Sequence, residues 1–302
     1  MVFETGIDEQ SAQARIPRQL ALIKALEKRA EERPYWDLAR PGSALSDDDH
    51  KLRPFQLSHL IGHCLASSID ALRTARMVMQ VEAEPGKLRM PMMGIYPLVR
   101  AATESGALAV WLLQSDDPRE RILRGLMSRF SDVLHDDQAA RIMLEEQQAE
   151  SKNATSLRMK GLRDNTNSVR AKKLLLRKIA TQNDIKFDQF RSGHPGFGPI
   201  VAAAADSLGL PSSTTRGTWH ALSGLSHPSV SRSMMMSQLV SHGEKADVVS
   251  ANFTARPSVV GLGLDSGTAM HITALRLTAE RGGDKTLEVP NTGRREGECA
   301  FP

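Results

Sequence analysis

Apolar residues recur along this chain at three-to-four spacing, the period that lays them along one face of an α-helix rather than one face of a strand. The pattern predicts an all-α fold: an irregular multi-helix bundle with long loops and a disordered C-terminal tail. Pro17 suits a first helical turn, and Leu20, Ile23 and Leu26 form one apolar stripe of a helix over 17–34. Positions 36–50 hold Pro, Gly, Ser and an Asp-Asp-Asp run and read as a loop. A long helix follows over 54–81, ended by Pro85-Gly86. Positions 97–113 are apolar nearly all round and belong near the centre.

Asp116 and Asp117 cap a helix over 118–134, and a further helix covers 136–150. A basic segment over 151–178, a protruding or mobile insertion in this reading, is broken at Asn165 to Ser168 before a short helix to Ala180. Positions 192–199 are too rich in Gly and Pro for regular structure. Helices over 199–209 and 211–225 come next, the second interrupted by His227-Pro228 because proline disfavours helical geometry at the residue before it. A Met-rich helix over 229–240 precedes Val259 and Val260, which read as a small strand or extended wrap. Gly261 to Gly267 reads as a flexible connector, and 268–281 as a last amphipathic helix. The expectation is one helical domain over 1–281 and a disordered tail over 282–302.

Composition supports helix packing: 40% of residues are hydrophobic but only 4% aromatic. The two cysteines, Cys64 and Cys299, are too far apart to suggest a disulfide framework or a metal cluster, and the N-terminus lacks a secretory pattern. No apolar run is long enough to span a membrane, so the expected setting is the cytoplasm, without membrane contact. The net charge of +4 is uneven: nine basic residues against Asp164 between positions 151 and 178 give that segment +8. Lys160, Arg163, Arg170, Lys172, Lys173 and Arg177 are therefore candidates for contact with RNA or DNA, although such a run is more often a solvated helix face.

Two polar patterns interrupt otherwise apolar helices. Arg100 and Glu104, spaced i,i+4, are one pair of charges on the most apolar helix, where burial is costly unless they are paired. Arg216, His220, Ser223 and His227, at intervals of four, three and four, make a polar stripe beside an apolar one of Trp219, Leu222 and Leu225. Two imidazoles beside a guanidinium suit proton transfer and anion stabilisation. The bland alternative is a bracing ion pair, a satisfied core histidine and a histidine at a helix break. His59 and His63 are spaced i,i+4 but lack the acid that would complete a metal site, and no metal or cofactor is expected.

The elements Val99-Arg100-Ala101-Ala102-Thr103-Glu104 and Leu222-Ser223-Gly224-Leu225-Ser226-His227-Pro228 resemble those of a loosely defined group of uncharacterised bacterial helical proteins, in which a central helix carries Arg-x3-Glu and a late helix ends in Ser-x3-His-Pro. More distantly, Arg216-Gly217-Thr218-Trp219-His220 is similar to the Arg-x4-6-His motif of the HEPN helical superfamily, with three intervening residues here. That resemblance implies a metal-independent ribonuclease working at a dimer interface. Arg216 would then stabilise the scissile phosphate, His220 or His227 would act on the ribose hydroxyl, and the basic segment would guide RNA. The residues themselves point first to a polar pocket of Arg100, Glu104, His220, Ser223 and His227 that binds a ligand or protein partner. A helical interaction scaffold, with Met234, Met235 and Met236 as contact surface, is the third expectation.

Overall fold

The computed structural model describes residues 8–33, 35, 37–80, 88–146, 152–227, 229–245 and 248–284. Among them the chain is almost wholly helical: α1 (Glu9–Glu32), α2 (Ala44–Leu52), α3 (Leu57–Met79), α4 (Ile95–Leu113), α5 (Pro118–Glu146), α6 (Lys152–Gln182), α7 (Phe197–Ser207), α8 (Ser212–Leu225), α9 (Val230–Met236) and α10 (Pro257–Gly282). A 3-10 turn at Phe187–Gln189 and one antiparallel hairpin, β1 (Ser237–Lys245) with β2 (Val248–Ala255), complete it. Ser237 faces Ala255 and Lys245 faces Val248, with an irregularity between Ser241 and Gly243. Among the described residues no helix is long and apolar enough to cross a membrane. The tail expected to be disordered lies, from 285 onward, outside the described residues.

The segment expected as one domain is laid out as two compact units. The first is built from Met1–Arg40, Ser58–Gln114 and Gly196–Pro302, the second from Pro41–Leu57 and Ser115–Pro195.

In the first unit α10 is the central element, with both Val259 and Val260 fully sequestered in its opening turns. The expected strand and flexible connector are thus corrected to continuous helix. The reason lies in contact rather than propensity. A Cβ on Gly263 would stand 2.5 Å from Val99 Cγ1, and one on Gly106 2.8 Å from Met270 Cβ, so α10 and α4 meet nearly backbone to backbone at these glycines. Ile16, Leu20 and Ile23 of α1, Leu72 of α3, Val99 of α4, Leu222 of α8 and Leu264 of α10 join in one core. Across it, the Ser68 hydroxyl donates to the Ala102 carbonyl at 3.1 Å. The first turn of α10 has no cap of its own; Glu9 of α1 supplies one, accepting from the Ser258 N–H at 2.8 Å, the Ser258 hydroxyl at 2.6 Å and Arg256 Nε at 2.9 Å.

Three further expectations about this unit are corrected. α1 starts eight residues before Pro17, capped by Asp8, which accepts from the Ser11 N–H at 2.8 Å. The carbonyl that Pro17 deprives of its bond belongs to Gln13, an exposed position open to water. The Met-rich helix stops at Met236, because 237–245 find a β partner in 248–255, a segment rich in Val, Phe and Thr. α3 begins at Leu57 instead of Pro54.

The second unit packs α2, α5 and α6 together. The aspartate run expected in a loop forms α2, which Ser43 caps through the Ser46 N–H at 3.2 Å. α5 runs unbroken where two helices were expected. α6 also continues through Asn165 to Ser168, where those polar side chains are engaged: Asn165 Nδ2 donates to Asp137 Oδ1 at 3.1 Å and the Thr166 hydroxyl to the Leu162 carbonyl at 2.8 Å. Asp48 of α2 and Arg121 of α5 form an ion pair with both side chains 1% exposed.

Candidate ligand-binding site

Within the first unit, Arg100 and Glu104 stand one turn apart on α4, and Arg100 Nε donates to Glu104 Oε1 at 2.8 Å. The same oxygen accepts the Trp219 indole N–H at 2.8 Å. Glu104 therefore ties α4 to α8 through the tryptophan, a residue the sequence pattern assigns to the apolar stripe. The indole N–H is the signal that could have marked it, since a half-buried tryptophan needs an acceptor. Arg216 and His220 are exposed on α8 and flank Gly198, their Nε and Nε2 atoms 3.7 and 3.9 Å from where a Cβ on that glycine would stand. Ser223 is half-buried one turn further on. His227 is exposed and lies beyond Ser226, the residue that caps α8, so the four-member stripe ends at Ser223. The structure thus joins Arg100 and Glu104 to Trp219, and Arg216 to His220 around Gly198; the described partners of Glu104 include none of the histidines.

In the second unit the basic candidates all lie on α6 and divide by role. Lys172 pairs with Asp136 at 3.7 Å, Lys173 stands over the Phe130 ring at 5.9 Å, and the Arg177 guanidinium covers the Phe187 ring at 4.0 Å. Lys160, Arg163 and Arg170 are exposed, with no ion pair among the described residues.

One concavity is a feature that sequence reasoning did not find. α1, α3 and the segment after α1 enclose an open cavity of about 700 Å³ in the first unit, within the size range of small-molecule sites. Ala30, Ala66 and Ile69 give it an apolar lining, and Tyr35, Asp70 and Arg73 add polar and aromatic groups. The backbone carries Tyr35 into place: its carbonyl lies so close to Gly62 of α3 that any Cβ there would collide with it. The Leu38 carbonyl presses equally close to Gly282 of α10, and the Arg40 N–H donates to the Gly282 carbonyl at 3.1 Å. Asp284 then holds Arg33 at 2.5 Å and Arg40 at 2.8 Å.

Behind Tyr35, its hydroxyl lies 3.4 Å from Nε2 of His271, a fully buried imidazole whose Nδ1 has no hydrogen-bond partner. Burial, helped by the charge of Arg29, lowers the His271 pKa to about 3, and burial pushes the Tyr35 phenol up to about 12. Both are therefore neutral near pH 7. On the cavity wall, both Glu27 oxygens are occupied by Arg76, at 2.6 Å from Nε and 2.7 Å from the second terminal nitrogen. Arg73 and Glu31 approach to 3.7 Å at the exposed rim. Among the described residues no three His, Cys, Asp or Glu side chains converge to hold a metal, and His59 and His63 are both exposed on α3.

No family model, curated protein or solved structure matches this chain.

Proposed function

We propose that this chain is a ligand-binding helical protein whose site is the cavity between α1 and α3. The single observation that carries the reading is an open cavity of about 700 Å³ walled by residues of α1 and α3 and by Tyr35. The cavity takes precedence over the Glu104 network because Glu104 is already engaged by Arg100 and Trp219. Benzyl alcohol serves as a neutral probe of the cavity in ligand-observed NMR. Saturation transfer from the protein to the probe is expected, and Ala66→Phe, which fills the cavity from the α3 side, abolishes it. Equal transfer in the variant removes this reading. A cytoplasmic setting belongs to the same proposal, supported by the low cysteine content.

A second reading, RNA binding, is favoured by the order of arginines on α6. Arg163, Arg170 and Arg177 follow one another every seven residues, about 10 Å per step along the helix, and all are exposed. If they contact phosphates, changing all three to Gln lowers the slope of log affinity against log salt by about 2 to 3. A filter-binding titration of total RNA at several salt concentrations checks this, and an unchanged slope removes it. RNA cleavage in the presence of a chelator tests the catalytic roles of Arg216, His220 and His227; intact RNA withdraws them.

A further inference from the structure

The charges around the cavity do not cancel. Glu27 is neutralised by the two-point contact with Arg76, and Glu31 shares the rim with Arg73. Asp70 remains, an exposed carboxylate of α3 on the cavity wall with no ion-pair partner among the described residues. The same wall includes Tyr35 and the small apolar side chains Ala30 and Ala66. An unmatched carboxylate beside an aromatic residue is the combination that selects organic cations, through a charge-assisted hydrogen bond and through attraction to the ring quadrupole. A metal ion is disfavoured, since among the described residues no three His, Cys, Asp or Glu side chains converge. An anion is disfavoured as well, because the one cavity-lining guanidinium, Arg73, already faces Glu31.

We propose that the cavity between α1 and α3 binds a protonated amine carried on a compact apolar body, with Asp70 receiving the ammonium group and Tyr35 flanking it. This rests on the reading of the cavity as the ligand site and names the class of ligand it takes. The ammonium would donate to the Asp70 carboxylate while the apolar body covers Ala30, Ala66 and Ile69. No covalent step is involved.

Three probes of one shape, benzylammonium, benzyl alcohol and benzoate, test the proposal on the full chain at pH 7 by NMR titration, with Asp70→Asn and Ala66→Phe as variants. Benzylammonium is expected to bind at least about tenfold more tightly than benzyl alcohol, the scale of a hydrogen bond to a charged group, and benzoate most weakly. Asp70→Asn should bring benzylammonium to the level of the alcohol while leaving the alcohol unchanged. Because Asp70 is exposed, this variant is expected to melt as the parent does. Equal binding of all three probes, or a preference for benzoate, with loss of binding in Ala66→Phe, overturns the cation inference and leaves the cavity reading standing. No binding by any probe, or binding that Ala66→Phe does not alter, overturns both.

Discussion

Replacing Arg121 with Met isolates a fully buried ion pair of the second unit. The Arg121 guanidinium gives Asp48 two bonds, from Nε at 2.6 Å and from a terminal nitrogen at 3.2 Å, and reaches the Ser115 and Asp116 carbonyls at 2.9 and 3.0 Å. Methionine keeps much of the apolar stem and removes the charge, so the loss comes chiefly from a carboxylate left buried without its partner. That costs about 3–5 kcal/mol. The double variant Asp48→Leu/Arg121→Met leaves no stranded charge and should recover at least half of it. Burial pushes the Asp48 carboxyl above its ordinary value, with Arg121 pulling it down in opposition. A carboxyl raised in the folded state binds its proton more tightly there than when unfolded, so folding loses stability as pH rises through that interval. Without Arg121 the carboxyl rises further, and the penalty should shrink as pH falls below the raised value towards that of the unfolded chain. Urea titrations should be read by amide hydrogen exchange over α2, α5 and α6, because the segments of the second unit, 41–57 and 115–195, contain no tryptophan. A loss below about 1 kcal/mol, or single-variant costs that simply add in the double variant, would refute the reasoning.

Gly263→Ala should destabilise the first unit by about 1–3 kcal/mol in a thermal melt, since its Cβ would stand 2.5 Å from Val99 Cγ1. Gly217→Ala on α8, where nothing lies within 4 Å, should instead stabilise by about 0.5–1 kcal/mol. Glu104→Gln weakens the acceptor shared by Arg100 and Trp219, with an expected cost of about 1–2 kcal/mol and a shifted Trp219 resonance in fluorotryptophan NMR. His271 has its folded pKa lowered to about 3, so below its unfolded value near 6.5 only the unfolded chain takes up the proton, and stability falls as pH drops from 6.5 towards 3. His271→Leu should remove about one proton, roughly 1.4 kcal/mol per pH unit, from that acid-side slope; an unchanged slope in urea titrations at pH 6, 5 and 4 contradicts the burial of the imidazole.

The helical class of the fold was legible because it depends on spacing alone: the stripe of Leu20, Ile23 and Leu26 is buried as its period requires. What failed was local reading of residues whose partners are remote in sequence. Gly263 and Gly267 look like parts of a hinge until Val99 and Ala102 of α4 show how closely that helix approaches them. The aspartates of α2 look like a loop until Arg121 arrives from α5. Strand β1 looks helical until β2 pairs with it. At the candidate sites the Arg100–Glu104 pair was visible as an i,i+4 motif, and the link to Trp219 was not, because it joins positions 115 residues apart. The cavity left no periodic trace, since small side chains at 30 and 66 read equally well as ordinary helix positions.

The first unit is assembled from segments far apart in sequence: α1 packs against α10, and its Glu9 caps that helix. At ordinary synthesis rates of about 5–20 residues per second, α1 spends roughly 10–45 s outside the ribosome before α10 exists. The second unit has every helix it needs once α6 is made, so it is positioned to fold first. Through that interval the stripe of Ile16, Leu20 and Ile23 lacks its α10 partners Val259, Val260 and Leu264 and stays partly open to water and to other nascent chains, an aggregation hazard that ends only when α10 emerges.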